Sequence, residues 1–228
     1  MKDDQLDILR KKLNPPAHGY SLLLLSLVGL WLVAPFFGMA NIEEVTNAIF
    51  ITAMAIAACY TMSHQGKSFV IVIVLAGLLM VTMWLGLSAT KEQWALVAAG
   101  VTGVLFFGLV AYEILVDILS KGKRVSMNLI FGATAVYLLI GVCFAYLYSL
   151  IFTLDPNAFR GVPPEGGAPY HFTYFSFVTL TTLGYGDITP LTRVGGSFAT
   201  MEAVVGQLYL TILVARLVGM HISQRSEE

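Results

Sequence analysis

The chain has 228 residues, 57% hydrophobic and only 12% charged, with mean hydropathy +0.78 and formal net charge −1. So apolar a composition excludes an ordinary soluble domain, and so small a charge excludes a broad basic surface for nucleic acid. Lipid is the expected surrounding, and the few Lys and Arg read as topology markers.

At the N-terminus Asp3, Asp4 and Asp7 stand beside Lys2, Arg10, Lys11 and Lys12, and no small-residue cleavage pattern follows the first apolar run. A removable signal peptide is not expected. Leu6, Leu9 and Leu13 share one helical face, so residues 3 to 13 fit either a short interfacial helix ending at Pro15 and Pro16 or a tail without fixed structure.

A bilayer core requires about 20 apolar residues in helical form, because only a helix satisfies its own backbone in hydrocarbon. Five stretches with cores free of Lys and Arg fit that length, about Tyr20 to Phe37, Val45 to Met62, Phe69 to Leu87, Trp94 to Val116 and Met127 to Phe152. A sixth, about Gly195 to Met220, is interrupted by Glu202 and Arg216. Cys59 and Cys143 lie within apolar runs as small hydrophobes, with no disulfide or metal site expected. His18, His64, His171 and His221 have no ligand spacing, and no nucleophile, base or metal cluster converges in an aqueous segment, so neither an enzyme nor a cofactor is expected.

Alternating the connections between the two sides puts Lys2, Arg10, Lys11, Lys12, Lys67, Lys121, Lys123, Arg124, Arg216 and Arg225 on one side, against Lys91, Arg160 and Arg193 on the other. The basic excess assigns both termini to the cytoplasm. The connection between spans five and six is then external, and it carries Gly161, Pro163, Pro164, Gly166, Gly167 and Pro169.

After that loop, from Pro169 to Pro190, the sequence is PYHFTYFSFVTLTTLGYGDITP. Pro169 suits a helix start and twelve residues follow without a breaker, so a short helix should dip into the membrane and stop near Thr182, its negative dipole end favouring a cation. A dehydrating cation needs oxygen ligands, and successive backbone carbonyls face one axis when ordinary and left-handed dihedrals alternate. Gly184 and Gly186 can supply the left-handed positions, Thr182 a hydroxyl at the inner mouth, and Leu183 and Tyr185 outward-turned side chains that brace the loop.

The stretch TTLGYGD, Thr181 to Asp187, resembles the signature of potassium channels, and the two spans around it, residues 127 to 222, resemble their pore domain. That resemblance, to prokaryotic six-transmembrane potassium-channel subunits, implies K+ bound by the carbonyls of Thr182, Leu183, Gly184, Tyr185 and Gly186 and by the Thr182 hydroxyl. One loop gives one wall of such a filter, so four chains are implied, in a plasma (bacterial inner) membrane. Leu183 stands where Val or Ile is commoner, which changes packing and keeps the carbonyl. By alignment Tyr174 and Phe175 occupy the places of two tryptophans, so Tyr174 is either a brace for Asp187 or an interfacial tyrosine.

The same alignment makes Gly206 either a hinge or a close-packing site, and turns Gln207, Leu210 and Val214 toward a cavity below Thr181. Glu202 costs about 2.5 kcal/mol or more inside a span unless paired or hydrated. It is expected to support the filter from behind, hydrogen-bonded or protonated, with a gating role as the alternative. Arg216 is expected to snorkel to headgroups.

Residues 92 to 120 contain no Lys or Arg. Sensing voltage needs several, each worth about 2.3 kcal/mol per 100 mV, so no conventional voltage sensor is expected. Glu113, Asp117 and Lys121 form either a ladder of local pairs or a solvated helix end, while Lys121, Lys123 and Arg124 offer a site for anionic lipid. Few residues follow Met220, so no cytoplasmic ligand-binding domain is expected here.

The expected organisation is an all-α membrane protein with a cytoplasmic segment 1–19, a four-helix peripheral bundle 20–120, a basic linker 121–126, a pore domain 127–222 with a re-entrant helix, and a cytoplasmic tail 223–228. A transporter with related pore loops would carry several such loops in one chain, whereas this sequence has one. The other alternative is a non-conducting membrane regulatory subunit that retains the pore fold.

Overall fold

The computed structural model describes residues 19–33, 43–62, 67–86, 93–121, 126–163 and 168–226. The expected segment 3–13, His18, His64, Lys123 and Arg124 lie outside the described residues, as does the Lys121 side chain. The described residues form seven helices and one two-stranded ribbon. In chain order these are α1 (Gly19–Val33), α2 (Glu43–Met62), α3 (Lys67–Gly86), α4 (Gln93–Lys121), α5 (Met127–Leu154), β1 (Phe159–Arg160), α6 (Ala168–Leu180), β2 (Thr189–Pro190) and α7 (Arg193–Ser226).

Three of these helices are long and apolar enough to cross a membrane: α4 over Gln93–Ser120, α5 over Met127–Leu154 and α7 over Arg193–Met220. Shorter apolar stretches occupy α1 (Tyr20–Gly29), α2 (Ile51–Thr61) and α3 (Phe69–Leu85). Polar side chains inside the apolar helices are satisfied locally. The hydroxyls of Thr52, Thr61, Thr102 and Thr134 each donate to the carbonyl four residues back, at 2.7 to 2.9 Å.

The first five helices close a ring, in which α1 packs on α2 and α5, α2 on α3, α3 on α4, and α4 on α5. Leu23, Met54, Leu79, Phe106, Phe107, Ile114 and Leu139 fill its core. Where lipid competes for apolar surface, helices hold together by close approach, and small residues permit it. A Cβ added to Gly100 would sit 3.0 Å from Leu150, one on Gly103 would strike the Tyr146 ring, and one on Gly108 would lie 3.6 Å from Cys143. These pairs run in opposite directions along the two chains, so α4 and α5 form an antiparallel hairpin. The bundle therefore packs on its own α5, a point the sequence leaves open.

Ser126 caps α5, accepting from the Leu129 amide at 3.2 Å. Beyond α5 the chain returns through β1, paired antiparallel with β2 (Phe159 opposite Pro190, Arg160 opposite Thr189). This ribbon ties the connection between α5 and α6 to the segment just after Asp187. Gly161, at φ +83°, lies so close to the Asp187 carbonyl that no Cβ fits there. Helix α6 packs between α5 and α7, and Tyr148, Phe159, Phe172 and Phe175 cluster behind it with ring centroids 4.9 to 5.7 Å apart.

Candidate functional site

Helix α6 stops at Leu180, two residues before the expected Thr182, because its end is closed by backbone bonds. The Leu183 amide donates to Val178 O and the Thr182 amide to Thr179 O, both at 2.9 Å, while Thr182 takes φ +59°. This is the Schellman arrangement, with a left-handed residue just past the helix. Glycine usually fills that position, since a β-branched side chain is strained there. The sequence pointed to Gly184 and Gly186 as the left-handed residues, and they lie at φ +59° and +76°. It gave no sign of Thr182.

From Thr182 to Gly186 the backbone thus alternates, with positive φ at residues 182, 184 and 186 but at neither Leu183 nor Tyr185. Thr182 thus holds a conformation in which glycine would be comfortable and a threonine is strained. The Gln207 amide nitrogen of α7 stands 3.4 Å from that hydroxyl. The Thr181 hydroxyl donates back to Phe177 O at 2.6 Å. Gln207, Leu210 and Val214 are exposed along α7.

Leu183 and Tyr185, expected to brace the loop from behind, are 56% and 66% exposed in the single chain. The Tyr185 ring stacks on Tyr174, with centroids 6.5 Å apart. The Tyr174 hydroxyl donates to Asp187 Oδ2 at 2.7 Å, which holds the Asp187 carboxyl below the usual carboxylate range.

Gly206 is buried against α6, where a Cβ would overlap the Leu180 carbonyl oxygen and lie 2.9 Å from its Cδ1. Of the two roles left open for it, close packing is the one visible in this conformation. Tyr209 on the next turn donates to Ala133 O at 2.7 Å and stacks on Tyr137, joining α7 to α5.

Glu202 is wholly buried. The Tyr148 hydroxyl donates to its Oε2 at 2.7 Å, and Ser176 Oγ lies 2.5 Å from its Oε1 and 2.7 Å from the Gly141 carbonyl oxygen. A carboxyl on α7 therefore meets hydroxyls from α5 and α6 behind the loop. Sequence reasoning named Glu202 but neither Tyr148 nor Ser176, which lie 54 and 26 residues away from it. A tyrosine and a serine inside apolar helices were the only signal.

Arg216 departs from the expectation that it snorkels to headgroups. Its guanidinium donates to Ile118 O and Leu119 O at 2.9 Å each, satisfying carbonyls in the last turn of α4 that have no partner within that helix. Near the same end Asp117 accepts from the Tyr20 hydroxyl of α1 at 2.6 Å, while the expected pairing with Lys121 involves a side chain outside the described residues.

Residues 127–222 match the family model described as "Ion channel". Neither the curated proteins nor the solved structures give a match to the chain. The matched residues run from the start of α5 through α6 and the 181–187 loop into α7, so this part of the membrane protein is similar to an ion-channel pore domain.

Proposed function

We propose that the chain is one subunit of a homotetrameric potassium-selective channel, conducting K+ passively through a filter lined by Thr182, Leu183, Gly184, Tyr185 and Gly186. The observation that carries this reading is the alternation of backbone handedness through these five residues. Alternation turns successive carbonyls to one side, and four such strands around an axis replace the hydration shell of a dehydrated cation. The Thr182 hydroxyl supplies the innermost oxygen, within reach of Gln207 at the cavity.

The C-terminal end of α6 contributes its negative dipole below the filter. Tyr174 and Asp187 brace the outer end. Thr181, Gly206, Gln207, Leu210 and Val214 line or shape the cavity side. In this reading six helices cross the plasma membrane, both termini are cytoplasmic, and α4, without Lys or Arg before Lys121, is no voltage sensor. Anionic lipid is the expected contact of Lys121, Lys123 and Arg124.

The test is flux from liposomes containing the purified protein, with potassium and sodium gradients compared. Potassium flux well above sodium flux is expected. Equal flux of the two ions overturns the selectivity, and no flux of either favours a regulatory subunit.

A further inference from the structure

We propose that Glu202 carries its proton and, as a neutral acid, is the positioning residue that locks α6 behind the filter. It does so through one chain of hydrogen bonds: Tyr148 to Glu202, Glu202 to Ser176, and Ser176 to the Gly141 carbonyl. The inference rests on reading residues 182–186 as a filter only for what the lock holds in place. The lock itself stands on counting hydrogens.

Three short oxygen–oxygen contacts occur here, of 2.7, 2.5 and 2.7 Å, and each needs one hydrogen between its oxygens. The Tyr148 hydroxyl supplies one, to Oε2 of Glu202. Ser176 has one hydroxyl hydrogen and faces two acceptors, the Gly141 carbonyl and Oε1 of Glu202. With an ionised Glu202, two hydrogens must serve three contacts, and one pair of oxygens is pressed together with nothing between them. With a neutral Glu202, Oε1–H donates to Ser176, Ser176 donates to Gly141, and every contact holds one hydrogen.

The surroundings agree. Glu202 is inaccessible to solvent, and no cation acts on it among the described residues. The titratable groups that face it are Tyr148, Cys143 and Tyr137, all on α5, and the facing group on α6 is Ser176. None supplies positive charge to a carboxylate there. The neutral acid thereby joins α5, α6 and α7 at one point. Ser176 lies one turn before Leu180, whose carbonyl meets Gly206, so the lock fixes the helix that ends at the filter.

The test compares wild type, Glu202→Gln and Glu202→Ala as full-length protein in lipid. Gln reproduces the neutral pattern, its amide donating to Ser176 and its carbonyl accepting from Tyr148. The infrared difference between wild type and Glu202→Gln at neutral pH should contain the C=O band of a protonated carboxyl; an ionised-carboxylate band in its place overturns the proposal. Thermal stability of Glu202→Gln should match wild type at neutral pH and stay flat as pH rises, while wild type falls toward the level of Glu202→Ala when the proton is lost. A wild type and Glu202→Gln that decline in parallel would also overturn it. Neither readout depends on ion flux, so failure of the potassium reading leaves both intact. If the filter reading holds as well, alkaline loss of potassium-over-sodium flux should vanish in Glu202→Gln.

Discussion

Helices α5 and α7 each carry a 28-residue apolar span, yet 39% of the most apolar stretch of α5 is buried within the chain, against 6% of that of α7. Helix α5 has α1, α4 and α6 against it, whereas Val204, Leu208, Ile212 and Val218 of α7 face outward. Exposed apolar residues alone would suit lipid. The exposed loop from Thr181 to Asp187, in the re-entrant placement proposed for it, would not, because irregular backbone at membrane depth must be covered by protein or line a water-filled path. The bundle side of the molecule is thus closed within one chain, whereas the side carrying the 181–187 loop is left open, and on the proposed reading further copies cover it.

The largest effect is expected on the open side, from Gly184→Ala. Within the chain no atom lies within 4 Å of the added methyl, so the cost inside each subunit is conformational, forcing φ +59° on an alanine. That costs about 1–2 kcal/mol in each chain, and relief of it would turn the carbonyl. Potassium-over-sodium flux should collapse while circular dichroism and the α1–α5 bundle are unchanged. Unaltered selectivity would break the assignment of function to this side.

Next comes the junction between the two sides. In Gly206→Ala the methyl overlaps backbone at Leu180, whereas in Gly219→Ala, farther along the same helix, it meets nothing within 4 Å. Overpacking should lower the stability of Gly206→Ala by about 1–3 kcal/mol, and Gly219→Ala should be neutral or slightly stabilising. Equal melting temperatures for the two variants would return Gly206 to the role of a hinge.

A smaller effect is expected at the outer rim, in Tyr174→Phe. The Tyr174 hydrogen bond is the main reason the Asp187 carboxyl titrates low. A carboxylate whose folded value is depressed adds stability that is present above its unfolded value and lost as pH falls through the folded one. On the channel reading, wild type should therefore hold the outer end of the 181–187 loop to lower pH than Tyr174→Phe, whose slow inactivation should quicken first on acidification. Coincident acid profiles would detach Asp187 from the brace.

How far these features could be seen in the sequence depends on how local their causes are. Apolar runs fix where helices form, and Gly184 and Gly186 advertise left-handed backbone by residue type. Tyr174 and Asp187 are 13 residues apart on a helix and the loop it leads into, so a linear alignment can pair them. The left-handed turn at Thr182 is not legible from residue type because the bonds closing α6 impose it, against the preference of its own side chain. Ser176, Tyr148 and Glu202 meet only when three helices pack, and no periodicity encodes that meeting. The antiparallel seating of α4 on α5 rests likewise on which glycine faces which side chain.

The smallest effect should come from the tie between the two sides at the opposite end from the 181–187 loop. Arg216 reaches from α7 to carbonyls 97 and 98 residues earlier, at the negative end of the α4 dipole. In Arg216→Gln the side chain is too short for both bonds and has no charge, which should cost about 1 kcal/mol because the site is only partly buried. Stability is a blunt measure of so small a term. Spin labels at the exposed positions Leu119 and Ile222 report the tie directly, through the distance between the ends of α4 and α7. That distance should be narrowly distributed in wild type, slightly broader in Arg216→Lys, and broadest in Arg216→Gln. If all three distributions coincide, α7 is held to α5 and α6 through Tyr209, Glu202 and Gly206, and the Arg216 bonds do not set the spacing of these two helix ends.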